Sequence, residues 1–248
     1  MENILLPSKM SFSEGRHENE SVLTIEPLHH GYGTTVGNSL RRVLLSSLEG
    51  AAVTAVKIKG VSHEFSTVEG VKEDALELIL NLKQLRLKVH AAESVTLKLE
   101  SSGTEGVITA ASIQPNADVE IVNTDLPLAT ITDASKPFVM EITVSRGRGF
   151  VPTEEMDTTQ NDIGVMAVDA LFSPVLSVGM NVENTRVGEI TNYDKLIMTI
   201  RTDGSISPQE AVDQATKVIL NHFNWIESQL SHATLTEKIT SAQVGEEE

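Results

Sequence analysis

Residues 28–48, LHHGYGTTVGNSLRRVLLSSL, constrain the fold most, because they join a glycine-punctuated turn to a single amphipathic helix. Gly31, Gly33 and Gly37 flank the turn, Thr34 or Thr35 can cap it, and helix formers continue to Leu48 before Gly50 stops them. The expected helix has about four turns. With each residue advancing roughly 100°, Val36, Leu40, Val43, Leu44 and Ser47 share one stripe suited to packing. Asn38, Arg42 and Leu45 fall on the other side, Leu45 at roughly 150° from the apolar stripe. A leucine beside an arginine on an outer face implies a second contact. The helix therefore reads as two-sided, one stripe for folding or dimerising and one for another partner.

The rest of the chain arranges itself around that helix. Residues 2–19 read as an irregular lead-in and 22–25 as a short strand ended by Pro27. Residues 52–59 place Val53, Val56 and Ile58 as in a strand, and Ser66 or Thr67 opens a second helix with Val71, Ala75, Leu78, Ile79 and Leu82 on one face. Then the period changes to two: Leu85, Leu87, Val89; Val95, Leu97, Leu99; Met140, Ile142, Val144. With turn residues at Gly103, Gly106, Pro115, Asn116 and Pro127, residues 85–144 predict an antiparallel β module. A polar loop over 153–162 and an apolar segment over 163–178 lead back toward the first module. Residues 181–183 and 195–201 read as a hairpin. Ser207-Pro208-Gln209-Glu210 is a capping box with proline at the first helical position. The helix it opens runs to about Leu230, with Val212, Ala215, Ile219, Phe223, Ile226 and Leu230 on a stripe that needs a partner. The polar tail beyond is expected to be mobile.

Composition excludes several functions. A net charge of −16 would repel nucleic acid, and Arg41, Arg42, Arg146 and Arg148 do not overturn it. Without cysteine there is no disulfide, thiol nucleophile or thiolate metal site. No apolar run is long enough to span a membrane, and residues 1–10 lack a signal peptide's basic start, so a cytoplasmic protein is expected. The Gly31-Tyr32-Gly33 turn invites a phosphate-cradling reading. Against it, Val36 stands where a dinucleotide fingerprint has its third glycine, the next strand carries Lys57 and Lys59 rather than an acid, and no P-loop lysine is present. Adjacent His29 and His30 point apart, and the other histidines have no ligand spacing. No catalytic residue, cofactor site or metal site is expected.

EPLHHGYGTTVGNSLRRVLLSSLEG, followed by GVSHEFSTVEGVKEDALELILNLK, RGRGFVP and VDALFSPV in that order, resembles the amino-terminal domain of the bacterial RNA polymerase alpha-subunit family. The likeness runs from about Glu26 to about Leu230. It implies an α+β fold in which a discontinuous dimerisation module, two main helices on a small antiparallel sheet from residues 1–50 and 176–232, holds an inserted β-rich module, 51–175. Residues 233–248 would be a flexible acidic tail. It further implies a homodimeric scaffold on which the β and β′ subunits assemble, the active site lying in those subunits. By motif, Arg42 with Leu45 and Asn38 would face β, and Lys83 and Val168 would face β′. Tyr32, Val36, Leu40, Val43, Phe223 and Ile226 would line the dimer interface. Most members of the family continue through a linker into a DNA-gripping domain. This chain ends where that linker would begin, so no DNA contact is expected of its residues. A small nucleotide-dependent enzyme using the Gly31, Gly33 and Gly37 turn would instead bind a nucleotide saturably, and an unrelated dimeric adaptor would dimerise without binding β.

Overall fold

The computed structural model describes residues 4, 6–101, 103–156 and 164–244, with side chains as far as 230. The chain opens with β1 (Lys9–Glu14), β2 (Glu20–Leu28), α1 (Tyr32–Ser46) and β3 (Glu49–Ile58). Next come α2 (Ala75–Leu82), β4 (Leu87–Val89), β5 (Val95–Glu100), β6 (Gly106–Thr109), β7 (Val119–Ile121) and β8 (Pro127–Ile131). It closes with β9 (Val139–Arg148), β10 (Phe150–Val151), β11 (Val165–Ala167), β12 (Ala170–Leu171), β13 (Val175–Val187), β14 (Ile190–Thr202) and α3 (Pro208–Val244). The fold is mixed α+β, with helices set against antiparallel sheets.

The first sheet has the order β1-β2-β14-β13, so strands from both ends of the sequence lie side by side. Its β13–β14 hairpin is far longer than the short strands expected at 181–183 and 195–201, and it turns at Gly188, where φ is +62°. β1 corrects the expected irregular lead-in. Met10 lies opposite Ile25 and Phe12 opposite Leu23, so alternation within KMSFSE suffices to add an edge strand. The second sheet, β11-β3-β9-β5, forms the middle of the chain with three two-stranded ribbons, β4-β7, β6-β8 and β10-β12.

Buried apolar side chains fall into two large clusters. One combines Leu23, Leu40, Leu44, Leu48, Val175, Leu196, Met198, Ile200 and Ala215, drawn from α1, α3 and the first sheet. The other runs from Val53 to Val168 and contains Leu78, Leu82, Leu99, Met140 and Ile142. Val175, assigned by sequence to the inserted segment, packs with the first cluster. Where the chain crosses between clusters, a Cβ on Gly50 would overlap the Phe172 carbonyl oxygen, so the two crossings lie against each other.

Two helix boundaries differ from expectation. α2 starts at Ala75, where the Asp74 carboxylate accepts from the Glu77 N–H at 2.7 Å, rather than at Ser66 or Thr67. Gly70 at φ +76° turns the chain first, and Val71 bridges to Ile131 as in a strand. α3 begins as expected: Glu210 accepts from the backbone N–H and hydroxyl of Ser207, each at 2.9 Å, and the Ser207 hydroxyl accepts from the Glu210 N–H. Those bonds hold the Glu210 carboxyl below its ordinary value. The helix then passes Leu230 and continues to Val244, because no glycine or proline interrupts SHATLTEKITSAQV. The end of the expected mobile tail, 245–248, lies outside the described residues, as do 157–162 of the expected polar loop and the first residue, 163, of the expected apolar segment.

Candidate functional site

α1 presents three faces. Gly33, Gly37, Leu40 and Leu44 are buried against the sheet. A Cβ on Gly33 would lie 2.9 Å from Val182 Cγ1, and one on Gly37 would overlap Met180 Sδ and Leu196 Cδ1. The two glycines therefore let the helix backbone settle on β13 and β14. Sequence reading treated them as turn residues, yet their spacing of four along a helix already marks a flat stripe.

The first turn has no side-chain cap from Thr34 or Thr35; the cap residue is Gly31, with φ +84°. Asp194, from β14, takes that role across the fold. Its Oδ2 accepts from the N–H of Gly31 at 2.9 Å and of Gly33 at 3.0 Å, and the residue is only 5% exposed. The helix start that resembled a phosphate cradle is thus already occupied by a buried carboxylate. Asp194→Ala should destabilise the protein by about 2 kcal/mol, since two amide donors lose their acceptor. Urea denaturation of variant and parent measures this.

Val36 and Val43 sit on a second, half-buried face of α1 that looks toward α3. Between the helices lies an open groove of about 610 Å³ lined by Met10, Tyr32, Val36, Leu40, Val212, Ile219 and Phe223 among others. The first half of α3 closes on the chain's own sheet, where Val212 is 6% and Ala215 0% exposed. Its continuation does not: Phe223 is 63%, Trp225 65% and Leu230 64% exposed. One helix is therefore anchored at its start and apolar but uncovered further on. The structure brings Tyr32, Val36, Leu40 and Phe223 to this one groove, with Ile226 half-exposed beyond it.

The third face carries Asn38, Arg42 and Leu45, all exposed. Arg42 makes no side-chain hydrogen bond or ion pair among the described residues, and it also borders a smaller cleft with His222 and Phe223 of α3. Arg41 differs: its Nε donates to the Val178 carbonyl at 3.2 Å, tying the helix to β13. The two adjacent arginines thus divide into one that fastens the helix and one that faces outward.

In the inserted segment, Lys83 follows α2 and donates to Asp169 Oδ2 at 3.1 Å. The Asp169 carboxyl is held below its ordinary value, first by the Thr153 N–H and then by Lys83. Val168 is 1% exposed, its side chain packed within the second cluster, and the neighbouring Asp169 is what reaches the surface beside Lys83. Sequence reading missed Asp169 and Asp194, whose partners lie 86 and 161 residues away and leave no local signal.

Among the described residues no group of His, Asp and Glu is arranged to hold a metal ion, and no helix is long and apolar enough to cross a membrane. His29 stacks edge-on with Tyr32 and Tyr193, and its Nδ1 is buried without a hydrogen-bond partner among the described residues.

Residues 56–173 match the RNA polymerase Rpb3/RpoA insert domain family. Over 221 residues, 89% of the chain, it is 50% identical to a DNA-directed RNA polymerase subunit alpha of Alkaliphilus oremlandii, and covers 67% of that relative. It is 54% identical over 210 residues, 85% of its length, to the subunit of the same name from Carboxydothermus hydrogenoformans, covering 66% of it. The chain thus spans about two thirds of the length of these curated relatives. Similarity at this level across both α1 and the inserted segment identifies the chain as a member of the bacterial RNA polymerase alpha-subunit family.

Proposed function

We propose that this chain is the dimerising and subunit-assembling part of a DNA-directed RNA polymerase: two copies join through α1 and α3, and the outer face of α1 receives the β subunit. The observation that carries the reading is the division of α1. Its Val36 and Leu40 side opens onto an apolar groove, while another side exposes Leu45 and Arg42, a cation with no side-chain partner among the described residues. Such a helix serves two partners at once. Relatives named DNA-directed RNA polymerase subunit alpha support polymerase as the assembly, with nucleotidyl transfer carried out by the complex. Lys83 and Asp169 are the candidate contact for β′, in place of Val168. The nucleotide-enzyme reading is disfavoured by Asp194, which fills the helix start.

Co-expression with a β subunit tests this: β should co-purify with the dimer, and β′ should join the pair. A dimer that never retains β would contradict the assembly role and favour an unrelated adaptor.

The two clusters support a modular reading, with residues 51–173 forming an insertion in a dimerisation module. The excision stops before Val175, which packs beneath α1. Replacing 51–173 by a short glycine linker should leave a folded dimer, because the chain enters and leaves the insertion at adjacent points, Gly50 and Phe172. Circular dichroism and light scattering check this, and a wholly unfolded product would contradict the boundaries.

A further inference from the structure

The apolar alternation of β1 begins before the strand does. Met10 and Phe12 line the groove from β1, and in NILLPSKMSF both Leu6 and Ile4 fall on their parity, with Ser8 between. Pro7 confines Leu6 to extended or polyproline backbone, so the phase of the strand carries back through Leu6. Yet Leu6 is 78% and Ile4 53% exposed. The ladder between β1 and β2 ends at Lys9 opposite Glu26, next to Pro27, which has no N–H to offer. From there β2 runs through Leu28 into α1 at Tyr32. Because the two strands are antiparallel, the residues before Lys9 leave the sheet at the end where α1 begins, which is the Tyr32 end of the groove.

A lone exposed leucine is ordinary, but two in phase with the wall of an apolar groove extend that surface. A second apolar surface is left over on α3. Ile219 and Phe223 of its stripe line the groove, whereas Ile226, one turn on, lies outside it and is 47% exposed. In a two-fold dimer each copy offers both surfaces, so a contact between them forms twice by symmetry.

We propose that Ile4 and Leu6 form an amino-terminal strap that packs on α3 of a second copy of this chain, at Ile226. This rests on the reading of α1 and α3 as the dimer interface and adds to it a segment that belongs to neither helix. The strap lengthens the apolar wall that β1 begins with Met10 and Phe12, and it covers the part of α3 that its own groove leaves open.

The chain has no cysteine, so engineered thiols report the contact without background. Chains carrying Leu6→Cys and chains carrying Ile226→Cys are refolded together and mildly oxidised, which allows a link only between copies. A covalent dimer on a non-reducing gel is expected from the mixture, well above the yield from either variant alone. Adding Phe223→Asp to both should abolish it. Independently, Ile4→Ser with Leu6→Ser should weaken dimerisation about tenfold or more by analytical ultracentrifugation, because each lost anchor counts twice in the dimer, while circular dichroism stays parental. Both results are required. A missing cross-link, or parental dimer affinity in the serine pair, would overturn the strap. If Phe223→Asp is then monomeric, the helical interface stands without the strap; if it too remains a dimer, the reading of the interface fails as well.

Discussion

Phe223→Asp is expected to yield a folded monomer. In the single chain Phe223 is 63% exposed, so removing it costs the fold little, and any large effect must come from what covers it in the assembly. Leu220, Phe223, Trp225, Ile226 and Leu230 are all exposed along one helix whose start is firmly packed. Covering five such side chains contributes on the order of 10 kcal/mol before association costs of about 4–15 kcal/mol are subtracted. The surplus is small enough that one substitution decides the outcome. A carboxylate at the centre loses the apolar contact and must also be desolvated, a penalty of several kcal/mol, so the dimer should weaken by orders of magnitude. Light scattering at micromolar concentration should fall from the mass of two chains to that of one, with helicity unchanged. A dimer persisting in both Phe223→Asp and Ile226→Asp would remove α3 from the interface.

Periodicity made the larger architecture legible. The stripes of α1 and α3 were readable because three- and four-residue spacing survives in any environment that buries one face, and the capping box at Ser207 fixed the start of α3 to the residue. The alternation at Leu97, Leu99, Met140, Ile142 and Val144 reported strands for the same reason, since β5 and β9 each hide one side. What failed was set by tertiary contact. The single stripe read on α1 is two faces, because Gly33 and Gly37, invisible to a hydrophobicity count, carry the closest approach to the sheet while Val36 and Val43 look sideways to α3. Asp194 could not be assigned as the cap, since its partners belong to a helix that the hairpin reaches only after folding. A motif match carries no burial: in VDALFSPV the valine faces the core and the aspartate beside it faces Lys83. α3 outran its apolar stripe because helix propensity alone carries the backbone through polar sequence.

Arg42→Ala addresses the central claim most directly. The guanidinium is exposed and unpaired among the described residues, on the face of α1 away from Leu40 and Leu44, so its loss should change stability by no more than ~0.5 kcal/mol. Arg42 is not among the residues that line the large groove with Tyr32, Val36 and Leu40, although it shares a smaller cleft with Phe223, so the variant is expected to remain a dimer and its mass is measured alongside. Binding of β should weaken by about 2 kcal/mol or more, roughly thirtyfold, because an arginine buried at an interface forms paired, charge-assisted hydrogen bonds that alanine cannot replace. Arg41→Ala is the matched control: it removes the bond to the Val178 carbonyl and should cost stability while sparing β affinity. The decisive measurement is the affinity of β for dimers of the parent, Arg42→Ala and Arg41→Ala, with each variant shown to be folded and dimeric. A selective loss for Arg42→Ala is the predicted result, and equal affinity for all three would contradict the assignment of the outer face of α1 to subunit assembly.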